Sequence, residues 1–471
     1  MALLQPVYSI ILNQIYKLTG KIPYQIRYGI MFIWLIALEI LLIIGYSTDF
    51  LAIKVSLNER AIAGGITLII FCIFSIKGPL KRVQWSLGFS SIWFIFALLM
   101  LLSGFDHAVG DGYRLSGWII LLGFPCLAFI WNNRGDYEVL YRLVSKAICV
   151  VSVAYFLFCL IIQPEQASLD RYTGTIDNPN TLGLMAVSGI ISASYLFTST
   201  KNYRWIFSIS FGTSVTLGVY SVSRNAIITI LLLLIVISIY MCRVFKYKGY
   251  SIRVSIKRYI LGVLGFTVIS LLCIIIFGMG MSSEKNIVSA ASLEPTKEIN
   301  LAHWKSAAEV TADSAVGPEK NPLKERFTTE GKDLNSFSAG RVEIWKAYIQ
   351  QLNLKGNDIK GSEFPIGDTS SKYLAAHNVY LEISYRSGII AGLLFLIFVL
   401  IAAIKALCCL FRRKEYKEYD LFIIMAIGAY GCTSLFESLV HPFSRSIVFL
   451  FYLAVIPFLA KPSAIKKDRD A

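Results

Sequence analysis

Residues 377–404 read HNVYLEISYRSGIIAGLLFLIFVLIAAI. The stretch begins hydrophilic, with His377, Glu382 and Arg386, and ends as an unbroken apolar run. An α-helix needs about 20 apolar residues to cross a hydrocarbon core of about 30 Å. The stretch therefore predicts a transmembrane helix whose first turns stand at a membrane surface. Eleven further apolar blocks lie near 28–46, 61–76, 85–105, 115–131, 146–162, 181–198, 205–222, 225–242, 259–281, 421–438 and 445–460. Twelve spans predict an all-α polytopic membrane protein; a β-barrel would show short alternating segments instead. Composition agrees, with 56% hydrophobic residues, 16% charged residues and a mean hydropathy of +0.62.

The formal charge of +15 would suit a nucleic-acid partner, but its positions argue otherwise. Alternate connections carry Lys77, Lys81 and Arg82; Arg134, Arg142 and Lys146; Lys201 and Arg204; a basic run over 243–258; and Lys405 with Arg412, Arg413, Lys414 and Lys417. Both termini fall on the same side, and the short connections opposite are poor in Lys and Arg. Basic loops mark the cytoplasmic side, so the excess reports topology and no nucleic acid is expected. The chain divides into residues 1–281, with nine spans behind an N-terminal interfacial helix; 282–376, a large outer loop; and 377–471, with three spans and a cytoplasmic tail. In the loop, Val342, Trp345 and Ile349 recur at helical spacing, which predicts a partly helical cap. All nine cysteines fall in spans or at their cytoplasmic edges, so neither a structural disulfide nor a metal site is expected.

Four hydrophilic stretches meet on the outer side. SVSRNA places Arg224 at the tip of a tight hairpin between two spans. DRYTGTIDNPNTLG carries Arg171, Asp177, Asn178 and Asn180 just before a span, which Asn180 is placed to cap. SAGRVEIW carries Arg341 and Trp345, and the fourth stretch is the one quoted above. Arginine at a membrane boundary needs a counter-charge, and its planar fork of donors fits phosphate oxygens. His377 suits a general base for a hydroxyl. On one continuous helix from Asn378, Gly388 would lie about 20° off the face of His377 and roughly 16 Å below it. Glu382 and Arg386 have i,i+4 spacing and are expected to pair. His107, His303 and His441 form no metal-binding spacing.

SRNA opening a span, GTIDNPNTLG, SAGRVEIWKAYI in a long outer loop and HNVYLEISYRSGIIAG after it together resemble the O-antigen ligase and polymerase superfamily of bacterial inner-membrane glycosyltransferases. The likeness covers roughly residues 170 to 410. Ligases of that family carry a histidine and a glycine separated by ten residues, which His377 and Gly388 match. They also carry an arginine followed by leucine with three residues between, and here Ile228 stands where that leucine would be. The resemblance implies a GT-C-like membrane fold with its active site facing the periplasm. The donor would be an undecaprenyl-pyrophosphate-linked glycan, and no cofactor or metal is implied. A ligase passes the glycan to the lipid A core, whereas a polymerase passes it to another lipid-linked repeat unit. The ligase is the leading expectation. His377 and Arg224 are then the catalytic candidates, with Arg341, Arg171, Asn178, Trp345 and Arg386 as substrate-binding candidates and Arg445 as a lesser one. A direct displacement would invert the anomeric centre. A lipid-linked sugar flippase is a weaker reading, since it gives no reason for the large loop followed by the histidine motif.

Overall fold

The computed structural model describes residues 4–44, 55–106, 110–162, 171–176, 178–200, 204–247, 257, 260, 264–278, 338, 340–357, 365–366, 369–372, 375–411 and 417–461. Most of these residues are helical. A first helix, α1 (Gln5–Thr19), packs Tyr8 and Leu12 inward and leaves Val7, Ile10, Ile11 and Leu18 exposed. Next come α2 (Tyr24–Ile44), α3 (Leu57–Phe74), α4 (Leu87–Asp106), α5 (Gly110–Trp118) and α6 (Phe124–Arg134). A π-turn, Ile119–Gly123, joins the last two into one rod. Then follow α7 (Tyr137–Ile162), α8 (Pro179–Ser199), α9 (Arg204–Tyr220), α10 (Arg224–Tyr247) and α11 (Leu264–Gly278). The series ends with α12 (Arg341–Gln350), α13 (Val379–Ser387), α14 (Ile389–Phe411), α15 (Asp420–Thr433) and α16 (Ser446–Leu459).

Each of the twelve apolar blocks has a helix. Seven helical stretches among the described residues are long and apolar enough to cross a membrane, counting α5 to α6 as one, and four shorter apolar helices accompany them. The protein is thus a membrane-embedded helical bundle. Its centre is α8, with 83% of its apolar window buried, while α10 at 28% and α14 at 33% face outward. Small residues bring the central helices close. A Cβ built on Gly189 of α8 would lie 2.2 Å from Ser214 Oγ of α9, and one on Gly183 would lie 2.6 Å from the Ala226 Cβ of α10. Stacked rings fill the wider gaps, among them Phe89 on Phe398 at 4.8 Å and Tyr430 on Phe451 at 3.9 Å.

The two ends of the bundle differ. At the end rich in Lys and Arg, β1 (Gln84–Trp85) pairs with β4 (Ala460–Lys461) and ties the end of α16 to the start of α4. The other end, carrying His377, is called outer after the charge distribution. A second two-stranded sheet, β2 (Pro365–Ile366) with β3 (Thr369–Lys372), belongs to the large loop. The helical prediction for that loop is met by α12, although the buried face is Ile344 and Tyr348, and Ile349 is exposed. Residues 282–337, where the rest of the expected cap falls, lie outside the described residues, as do His107, Asp177 and His303.

The quoted stretch does not form one helix. It breaks at Gly388, whose φ of 91° no L side chain adopts readily. The chain at 353–357 fills the break: Ile389 N–H donates to Asn353 O at 2.9 Å, and Asn357 N–H donates to Tyr385 O at 2.8 Å. A Cβ on Gly388 would meet Leu354 O at 2.2 Å, and one on Gly356 would meet Arg386 O at 2.3 Å. The expectation that Gly388 lies under His377 on a continuous face is therefore corrected. The glycine serves a backbone crossing, and the periodicity count ends with α13.

Candidate functional site

The sequence puts only residues 439–444 between the blocks 421–438 and 445–460, but α15 stops at Thr433, so the connection to α16 runs from 434 to 445. In the structure it is a non-helical run that is mostly buried, including Ser434, Glu437, Leu439, Val440, His441, Phe443 and Ser444. Non-helical backbone within a membrane protein persists where protein or a polar cavity satisfies it. Here the start of α13 and Arg60 near the start of α3 donate to its carbonyls, and the N-termini of α8, α10 and α16 adjoin it.

At α13, Asn378 caps the helix by accepting from Tyr380 N and Leu381 N, both at 3.0 Å. Its amide donates to Leu435 O at 3.1 Å, and Val379 N–H donates to Ser434 O at 2.9 Å. At α8, Pro179 occupies the first turn and Asn178 caps it, accepting from Asn180 N–H at 2.8 Å. The expected cap, Asn180, is released for other work, which corrects that assignment. Its Nδ2 donates to Glu437 Oε1 at 3.1 Å. Its Oδ1 accepts from Arg171 Nη2 at 2.8 Å and from Ser223 Oγ at 3.1 Å. At α10, the turn over 221–223 is so tight that Val222 takes a φ of 46°, and Arg224 opens the helix one residue after Ser223. Asn225 Nδ2 donates to Thr433 O at 3.4 Å. At α16, Ser446 Oγ donates to Glu39 Oε2 at 2.5 Å, fastening the helix to α2. Arg60 of α3 donates to Ser444 O at 3.4 Å.

Glu437 is the hub of this arrangement. Arg341 Nη2 approaches its Oε1 at 3.4 Å and Arg445 Nη1 approaches its Oε2 at 3.5 Å. The Glu437 side chain is only 5% exposed, whereas each arginine is 17% exposed. One carboxylate thus answers two guanidinium groups directly and a third, Arg171, through Asn180. The four helix N-termini add positive dipole ends. The polarity of the cluster suits an anion carrying more than one charge.

His377 sits beside this cluster in a strained conformation, with a φ of 48°. The peptide before it is held on both sides: Trp345 Nε1 donates to Ala376 O at 3.0 Å, and Ala376 N–H donates to Glu382 Oε2 at 2.7 Å. Burial lowers the imidazole pKa below its ordinary value. The negative charge of Glu437 opposes that shift, and Arg341 adds to it. The ring is therefore neutral near pH 7 and able to accept a proton.

The structure brings together Arg171, Asn180, Arg341, Arg445 and Glu437, with His377 electrostatically coupled to the last three. Asn178 is at the helix cap and exposed, and Trp345 is hydrogen-bonded to the chain beside His377. Arg386 pairs with Glu382 at 3.0 Å, as the i,i+4 spacing predicts, and both are buried. His441 is also buried, with Nδ1 2.9 Å from Ser116 Oγ and its ring edge-on to Tyr113. Sequence reasoning missed Glu437. Its one signal was a lone acid at the outer end of the apolar block 421–438. Among the described residues no three of His, Cys, Asp and Glu are grouped to hold a metal ion. No family model, no curated protein and no solved structure matches the chain.

Proposed function

We propose that the chain is an O-antigen ligase of the bacterial inner membrane, with twelve spans, a GT-C-like fold and a site open to the periplasm. It would transfer a glycan from undecaprenyl pyrophosphate to the lipid A core. The observation that carries this reading is the meeting of Arg341, Arg445 and Asn180-held Arg171 on Glu437, beside His377, at the outer tips of membrane helices. A lipid-linked pyrophosphate presents its charge at that level while its tail stays in the bilayer.

The chemistry follows from the charges. An acceptor hydroxyl oxygen attacks the anomeric carbon and forms the new C–O bond. The bond from that carbon to the pyrophosphate oxygen breaks, and its electron pair leaves with the phosphate. His377 takes the hydroxyl proton. Arg341 and Arg445, with Arg171 and Arg224 at the helix tips, hold the charge that develops on the leaving group. One displacement inverts the anomeric configuration. The arginines supply the positive charge, so the reading includes no metal and no nucleotide.

Cells carrying His377→Ala or Arg341→Ala test it. A ligase predicts lipid A core without polymer and an accumulation of long lipid-linked chains. A single repeat unit on the lipid A core would indicate a polymerase using the same residues. Unchanged polymer on lipid A would contradict both.

A further inference from the structure

Behind the arginine cluster lies a second carboxylate to which the proposed chemistry assigns no task. Glu382 is 5% exposed and Arg386 is 4% exposed. A buried pair of this kind is usually read as support for its own helix. The bonds point elsewhere. Glu382 Oε1 accepts from Arg386 Nε at 3.0 Å, but Oε2 turns away from the helix. It accepts from Ala376 N–H at 2.7 Å and from Ser438 Oγ at 3.3 Å. Ala376 directly precedes His377, and Ser438 directly follows Glu437.

We propose that Glu382 is a positioning residue: its carboxylate fixes the two backbone segments that carry His377 and Glu437 relative to each other. The proposal deepens the transfer reading and rests on it for its kinetic consequence, though not for its structural one. Two features give it force. His377 has a positive φ, a conformation that a non-glycine residue keeps only where its surroundings over-determine it. The Ala376 peptide supplies that restraint, with its N–H on Glu382 and its carbonyl on the Trp345 indole. The Glu437 segment is non-helical, so no helical ladder holds it, and the Ser438 hydroxyl gives it a fixed point on the same carboxylate.

A glutamine cannot replace this group. Arg386 and the Ala376 N–H face different oxygens of the carboxylate, so a glutamine would turn its amide nitrogen, which only donates, toward one of these two donors. Arg386 would then lose its ion pair with Glu382. The groups facing His377 would be Glu437, Arg341 and Arg445 as before, without the Glu382 charge.

The test uses full-length protein in lipid nanodiscs with isotope-labelled histidine rings, the His377 signal being assigned by its loss in H377N. For E382Q, the midpoint of the His377 titration should move to lower pH, because a nearby negative charge is gone. Turnover should fall by about 10- to 100-fold through misplacement of the reacting groups, with the KM for the lipid-linked donor little changed. E382D, which keeps the charge on a shorter arm, should restore the titration midpoint more fully than turnover. An unchanged midpoint together with wild-type turnover in E382Q overturns the proposal. Should E382Q fail to fold, E382D decides: wild-type turnover in that variant overturns it. A wild-type protein that transfers no glycan would defeat the transfer reading alone, and the His377 ring signals in E382D, where the charge is kept, would still decide whether Glu382 holds that residue: displaced signals support it and wild-type signals overturn it.

Discussion

Two arginine-bearing corners of the bundle make opposite use of the same side chain. At the basic end, Arg134 stacks on Trp131 at 3.8 Å and donates to Asp136 at 2.7 and 2.9 Å, to Ser75 O at 2.6 Å and to Tyr24 Oη at 2.9 Å. Asp136 also takes Lys77 at 2.6 Å, and Gly135 closes α6 with a left-handed turn. Every bond there is short and every charge is answered locally. At the outer end, Arg341 and Arg445 share one carboxylate at 3.4 and 3.5 Å and keep part of their surface open. Short, saturated bonds make a rigid corner. Long, shared bonds to Glu437 hold two guanidinium groups whose side chains stay partly exposed, as the proposed anion site requires. Under the proposed function, that difference separates a structural arginine from a binding one.

Substitutions test this contrast, and the largest expected effect is at the proposed proton acceptor. His377→Ala should lower transfer by about 10²- to 10⁴-fold, the usual contribution of a general base, with an unchanged melting temperature. A melting temperature that falls along with activity would make His377 structural. Arg341→Ala should cost about 10²-fold in turnover and little in stability. Arg134→Ala should do the reverse, losing about 1.5–3 kcal/mol of stability in a thermal or denaturant melt, the worth of its charged hydrogen bonds to Asp136. Its activity per folded molecule should stay near wild type. If the two arginines gave the same pattern, the comparison would fail.

Much of the fold is legible in the sequence, because span length and charge asymmetry are set by the bilayer itself. The twelve apolar blocks each hold a helix, and Glu382 with Arg386 pair as their spacing predicts. The site is legible only in part. Arg171, Arg341 and His377 announce themselves as polar residues at membrane boundaries. Asn180 was misassigned because both asparagines of Asn178–Pro179–Asn180 can cap, although proline's preference for the first helical position favours Asn178. Glu437 could not be found, since its role comes from burial of residues 434–445 between helix tips distant in sequence. Gly388 was misread because a helical count cannot show that the strand of chain at 353–357 crosses there.

Two smaller effects probe these corrected points. Gly388→Ala should destabilise the protein by about 1–3 kcal/mol, the cost of a strained backbone, plus the clash with Leu354 O. Gly428→Ala, with open space around its site, is the control and should melt as wild type does. A harmless Gly388→Ala would restore the continuous helix. The smallest effect concerns pH. A base works in its neutral form, so activity should fall as pH drops through the His377 pKa, which lies below the ordinary histidine value. Glu437 raises that pKa, so Glu437→Gln should move the acidic limb of the turnover–pH profile to lower pH. A shift to higher pH would show that Glu437 acts on another group.

The proposed reaction at the outer cluster is glycan transfer from lipid pyrophosphate. Its most direct test is purified protein in nanodiscs with a lipid-pyrophosphate-linked glycan and lipid A core, in chelator and without nucleotide. The expected products are glycan joined to the core and released lipid pyrophosphate, both lost in His377→Ala and Arg341→Ala. Absence of any transfer product from the wild-type protein, or wild-type yields from either variant, would contradict it.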